Sequence, residues 1–267
     1  MNHRKLVVSC LAVLASFVAQ AKDLSPYMAA SRAFAEKASL AARQHAMPRL
    51  TDADAAPLIT TLSDYRRFLD GHEFTPEEMN GLIEMCHTAN QIYVAYALSD
   101  LDRRVDRSAQ LPGVARQTGD VIMQNTYAFQ QELALIQPFL LRCMAKQLAP
   151  LASMLTDLAP QSRAEQLTDT RLARMRGMLG GLSTSYVGMF ALLKDEQLSS
   201  AYKLAMLEAL ADVANAARAA MSLDVRKQVL AELAALDPAV KAPFGKYLDH
   251  IAAAMRNTAC EGLCAIQ

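Results

Sequence analysis

Apolar residues recur every three or four positions along two long stretches of this chain, and that periodicity restricts the fold more than any other feature. Met79, Leu82, Cys86, Ala89, Tyr93 and Tyr96 form one stripe. Phe129, Leu133, Ile136, Leu140, Cys143 and Leu151 form a second, which Leu155 and Leu158 extend. Such spacing sets each stripe on one face of an α-helix, and that face must be buried against a neighbour. No segment alternates apolar and polar residues long enough to specify a strand. Ala, Leu and Met dominate, and Gly and Pro are sparse, which favours helix throughout. The expectation is an all-α, irregular multi-helix bundle of about seven or eight helices.

Cap chemistry divides the chain further. Ser25 before Pro26 reads as an N-cap with proline in the first turn. Thr75, Pro76 and Glu78 spell a capping box, and Ser162 with Glu165 repeats that spacing. Ser222 and Asp237-Pro238 mark later starts, and Gly71 marks a stop. Helices are expected to begin near residues 26, 52, 76, 118, 162, 195, 222 and 238. Pro138 and Pro150 lie inside the fourth pattern, where each removes a helix hydrogen bond, so a kink is expected at the first and a kink or break at the second. Pro112-Gly113 reads as a turn between the third and fourth helices. Residues 22–267 are read as a single all-α domain, and any subdivision would fall near 159–170.

The first residues bear on compartment. Arg4 and Lys5 precede an apolar run from Leu6 to Val18, and Ala19 and Ala21 occupy the −3 and −1 positions of a cleavage site. Residues 1–21 are therefore expected to be a signal peptide cleaved after Ala21, with Cys10 inside its apolar region. The mature protein would be periplasmic or secreted. Arg4 and Lys5 leave with the signal, so the mature chain carries 25 basic against 27 acidic residues, a net charge of −2. That near-neutrality argues against a nucleic-acid partner, which requires a basic field.

The four remaining cysteines imply two disulfides in an oxidising compartment. Cys260 and Cys264 miss the haem-attachment spacing, since Ala265 follows instead of a histidine, and an extra residue also rules out the thioredoxin-type motif. Zinc would need further ligands in the tail. Cys86 and Cys143 lie on the apolar stripes of two long helices. Joining them constrains the unfolded chain by ~4 kcal/mol, against ~2 for the short Cys260–Cys264 ring. Gly262 lets the chain turn within that ring. The expected pairing is Cys86–Cys143 with Cys260–Cys264; the alternative ties each tail cysteine to one of the long helices.

Other chemistry is thinly represented. Glu84 and His87 have the Glu-x-x-His spacing of di-iron bundles, but no second copy exists, so both are read as ordinary helical residues and no cofactor is expected. Methionines such as Met175, Met178 and Met189 are spread along apolar faces and read as core filler rather than copper ligands. Residues 177–193 form an uncharged run in which Gly177, Gly181, Ser185 and Gly188 share a small-residue face. A tightly packed central helix is the expected use of that run; membrane insertion or a hydrophobic groove is the alternative. No nucleophile elbow, zinc helix, phosphate loop or dinucleotide fingerprint is present. The sequence thus favours a binding or accessory protein over an enzyme, with another envelope protein or a hydrophobic ligand as partner. A membrane-associated protein using residues 177–193 and a metal-binding bundle using Glu84 and His87 are its rivals.

Overall fold

The structure, a computed structural model, describes residues 21–106, 108, 110–156, 169–260 and 263–264. The described residues form α-helices and short 3-10 turns, with no strand. The first helix, α1 (Ser25–Ala42), opens as Pro26 requires, but Ser25 is not its cap. Asp23 takes that part instead, accepting the Ser25 N–H at 2.9 Å. The bonds from Ser25 hold the Asp23 carboxyl below its ordinary range.

The expected count of seven or eight helices is too low. Ten helices of seven residues or more, with three single turns, occur among the described residues. Local side-chain bonds account for the extra divisions. The helix expected from residue 52 is split into α2 (Ala56–Leu62) and α3 (Tyr65–Phe68). Ser63 Oγ donates back to the Ile59 carbonyl, closing α2, and the Asp64 carboxylate accepts the Arg67 N–H, opening α3. Gly71, at φ +63°, then stops the chain where a side chain would be strained. The Thr75–Glu78 capping box starts a 3-10 turn that leads into α4 (Met79–Ala97), and a single turn, α5 (Leu101–Arg104), follows.

The fourth expected helix is also two. Helix α6 (Leu111–Ala128) begins seven residues before the expected start at 118, with Pro112 in its first turn and not in a loop. At Phe129 the backbone leaves helical geometry, and α7 (Gln130–Thr156) begins. Asn125 helps fix that junction. Its buried side-chain amide donates to the carbonyls of Ala97 and Ser99, satisfying the end of α4, while Arg104 donates to its oxygen. Pro138 and Pro150 both lie within α7, which continues through them; the break allowed at Pro150 does not occur.

Five further helices complete the fold: α8 (Asp169–Leu192), α9 (Ser200–Asp212), α10 (Ala214–Ala220), α11 (Leu223–Ala234) and α13 (Gly245–Arg256), with the single turn α12 (Pro238–Lys241) before the last. Ser199 caps α9, which starts after the expected 195, while Ser222 and Asp237 cap α11 and α12. The start expected near 162, its Ser162–Glu165 signal and the proposed subdivision lie almost wholly outside the described residues.

Helix α7 is the common wall, packing most extensively against α9 and α4. Buried side chains form one contiguous cluster running from Tyr27 to Leu263. Tyr27 stacks on Phe139 at 5.3 Å and meets Phe68 edge-on at 5.4 Å, which docks α1 and α3 onto α7. Buried phenols elsewhere close polar gaps: Tyr96 donates to the Pro48 carbonyl and Tyr186 to that of Leu210. Seven methionines, among them Met85, Met189 and Met255, are buried in this core. The side chains of Met175 and Met178 lie outside the description.

Candidate functional site

A cleft of about 770 Å3 opens where residues 65–76 face α7 and the α9–α10 junction. Its apolar lining comes from Leu69, Phe74, Ala145, Ala149, Val213 and Ala216. Arg142 and Lys146, one turn apart on α7, supply the cationic wall. Neither reaches its place by chance. The Arg142 guanidinium lies 4.1 Å from the Tyr65 ring centroid, and its Nε and Nη2 donate to Asp212 Oδ2 at 3.1 and 2.5 Å. One side chain therefore ties α3, α7 and the end of α9 together. Asp212 is half exposed, so solvent screens the pair and its net contribution is modest.

Lys146 Nζ donates to the His72 carbonyl at 2.9 Å, pinning the loop that carries Phe74. The His72 ring meets Phe74 edge-on at 4.7 Å, and its Nε2 lies 2.9 Å from Glu78 Oε1. Glu78 also accepts the Thr75 N–H through Oε2 and the Lys22 N–H through Oε1, at 2.9 and 2.8 Å. Burial pushes the Glu78 pKa up, but the donors from Thr75, Lys22 and His72 outweigh it and hold the carboxyl below its ordinary value. Asp70 and Glu73 stand exposed at the rim. The arrangement suits noncovalent retention: apolar side chains to bury an apolar body, a cationic wall held by side-chain bonds, and two carboxylates at the rim.

The residues singled out from sequence lie elsewhere. Glu84 and His87 are both exposed on α4, and His87 Nε2 faces Gln91 Nε2 at 3.0 Å. No group of three or more metal-ligating side chains occurs among the described residues. The run 177–193 supplies most of α8 and the residue beyond it, but its small face is not the packed one. Leu179, Leu182, Tyr186, Met189, Phe190 and Leu193 point into the core, whereas Gly177 and Gly181 are exposed and Ser185 and Gly188 partly so. A Cβ added at Gly177 or Gly188 would meet nothing within 4 Å, and one at Gly181 only the end of the Met144 side chain at 4.0 Å, so no helix among the described residues makes the expected close approach there. No helix among the described residues is long and apolar enough to cross a membrane.

The cysteines fall into two pairs. Cys86 and Cys143 Sγ stand 1.99 Å apart with Cα atoms 5.5 Å apart, and Cys260 and Cys264 lie with Cα atoms 5.2 Å apart and their sulfurs at bonding distance. Sequence reasoning missed Tyr65, Arg142, Lys146 and Asp212. One signal was available: Arg142 sits between Leu141 and Cys143, both of them core residues of the same helix. A charge in such a place requires a partner. Comparison with protein families, with characterised proteins and with solved structures finds no match.

Proposed function

We propose that this is an exported helical binding protein, periplasmic or secreted, that holds a small and largely apolar ligand in the cleft above Arg142. The observation that carries this reading is the cleft itself. Its volume falls within the ~300–1,000 Å3 typical of small-molecule sites, and the larger part of its lining is apolar. Export is supported by the two cysteine pairs at bonding distance, since disulfides persist in oxidising compartments. The position of Lys22 adds to it. Cleavage after Ala21 turns the Lys22 N–H into an α-ammonium facing Glu78 at 2.8 Å, so processing would convert a hydrogen bond from an uncharged amide into an ion pair.

The chain has no tryptophan, which gives a direct test. The mature protein should enhance the fluorescence of N-phenyl-1-naphthylamine. Ala149→Trp, in the exposed part of the lining, should fill the cleft and weaken that binding by roughly tenfold or more, about 1.4 kcal/mol. Leu223→Trp, exposed on α11, should leave it unchanged. Equal binding in all three proteins, or none in the parent, would overturn the reading.

A further inference from the structure

The second cysteine pair has surroundings that a simple staple does not require. Arg226 on α11 is 1% exposed, among the most deeply buried side chains of the protein. Its Nε donates to the Met221 carbonyl at 3.0 Å, and its Nη1 donates to those of Asn257 and Ala259 at 2.7 and 2.8 Å. Its Nη2 donates to Cys264 Sγ at 2.9 Å. All four acceptors are neutral, and no carboxylate pairs with this guanidinium among the described residues. Arg218 on α10 adds a second positive charge nearby; burial first, and then Arg218, pull the Arg226 pKa down. A full charge has thus been buried against a disulfide sulfur, where an anion would be stabilised far more than a neutral atom.

The two cysteines differ in burial. Cys264 is 3% exposed, whereas Cys260 is only partly buried. From this asymmetry the geometry points to a thiol–disulfide exchange activity: the Cys260–Cys264 disulfide accepts an incoming thiolate at Cys260 and releases Cys264 as a thiolate held by Arg226. In the first step, the incoming thiolate forms a bond to Cys260 Sγ, and the Cys260–Cys264 bond breaks with its electron pair on Cys264. In the second, another thiolate of the same substrate attacks its own sulfur of the mixed disulfide. The electron pair of that bond goes to Cys260. A dithiol leaves as a disulfide, the chain is left as a dithiol, and the balance is one equivalent per chain. Exchange is faster when the leaving thiol has a lower pKa, and a neighbouring arginine lowers it. The substrate class is therefore a dithiol, with Arg226 as a positioning and charge-stabilising residue.

The test uses the oxidised mature chain. Exposed to reduced glutathione at neutral pH, quenched with acid and mapped after alkylation, it should carry glutathione on Cys260 and a free thiol on Cys264, with Cys86–Cys143 intact. The adduct should form about tenfold faster than glutathione exchanges with its own disulfide. A reduced Cys-x-x-Cys peptide should leave as its disulfide, one equivalent per chain. Arg226→Lys, which keeps the charge, should retain most of the rate, and Arg226→Gln should lose about tenfold while circular dichroism confirms the fold. Should Arg226→Gln fail to fold, the map of the parent chain decides alone. Glutathione on Cys264, no adduct, or an adduct formed no faster than the reference would overturn the inference.

Discussion

Cys86–Cys143 joins two long helices at the centre of the molecule, whereas Cys260–Cys264 closes a short ring at its edge beside a buried arginine. The central pair lies between α4 and α7, with both residues buried among apolar side chains and 57 positions of chain between them. The tail pair is separated by four positions and touches a guanidinium. Loop length and surroundings thus divide the labour. A buried bond across a long loop constrains the unfolded chain and is sheltered from thiols. A bond across a short loop constrains little, so its placement against Arg226 calls for a chemical explanation.

Removing the central bond sharpens this contrast most. The double variant Cys86→Ala/Cys143→Ala should unfold in denaturant with a loss of roughly 4 kcal/mol, the chain-entropy contribution of that loop. Exchange at Cys260 should persist wherever the variant stays folded. The complementary pair, Cys260→Ala/Cys264→Ala, should lose no more than about 2 kcal/mol and all of the exchange with glutathione. Equal losses of stability from both pairs would break the comparison, and would make the tail ring a staple like the other.

Much of the α4–α7 seam was legible because a buried helix must repeat its apolar residues every three or four positions. Leu82, Cys86, Leu133, Ile136 and Cys143 all face inward as that pattern requires. The tail and the cleft were harder to read for a physical reason. Arg226 falls at apolar spacing with Leu223, Val229 and Leu230, and periodicity cannot say whether such an arginine points to water or into the core. Three of its four acceptors are the carbonyls of Met221, Asn257 and Ala259, a group that every sequence supplies equally. Arg142 presents the same difficulty, since its partners Tyr65 and Asp212 lie far away in sequence. The helix count failed where single polar side chains, such as Asp64, ended or started a turn against the apolar pattern. The small face of α8 misled because close helix approach is only one use of glycine. Here the large residues on the opposite side took the core.

The smallest expected effect tests the proposed processing before Lys22. Glu78 joins Lys22, His72 and Thr75, and its carboxyl is held below the ordinary value of 4.5. A carboxyl depressed by folding contributes stability that is present above its unfolded pKa and disappears as the pH falls through its folded one. Stability should therefore decline on acidification below about 4.5, and Glu78→Gln should flatten that decline. At neutral pH the substitution should cost on the order of 1 kcal/mol, because a neutral amide accepts the bonds from Lys22, Thr75 and His72 more weakly than a carboxylate. The cost should be larger in a chain beginning at Lys22 than in one that retains Ala21, since only the former presents an α-ammonium to Glu78. Acid-unfolding curves of the four proteins, followed by circular dichroism, give the comparison. An equal cost in both backgrounds would mean that processing after Ala21 adds no ion pair there, and would remove that support for export.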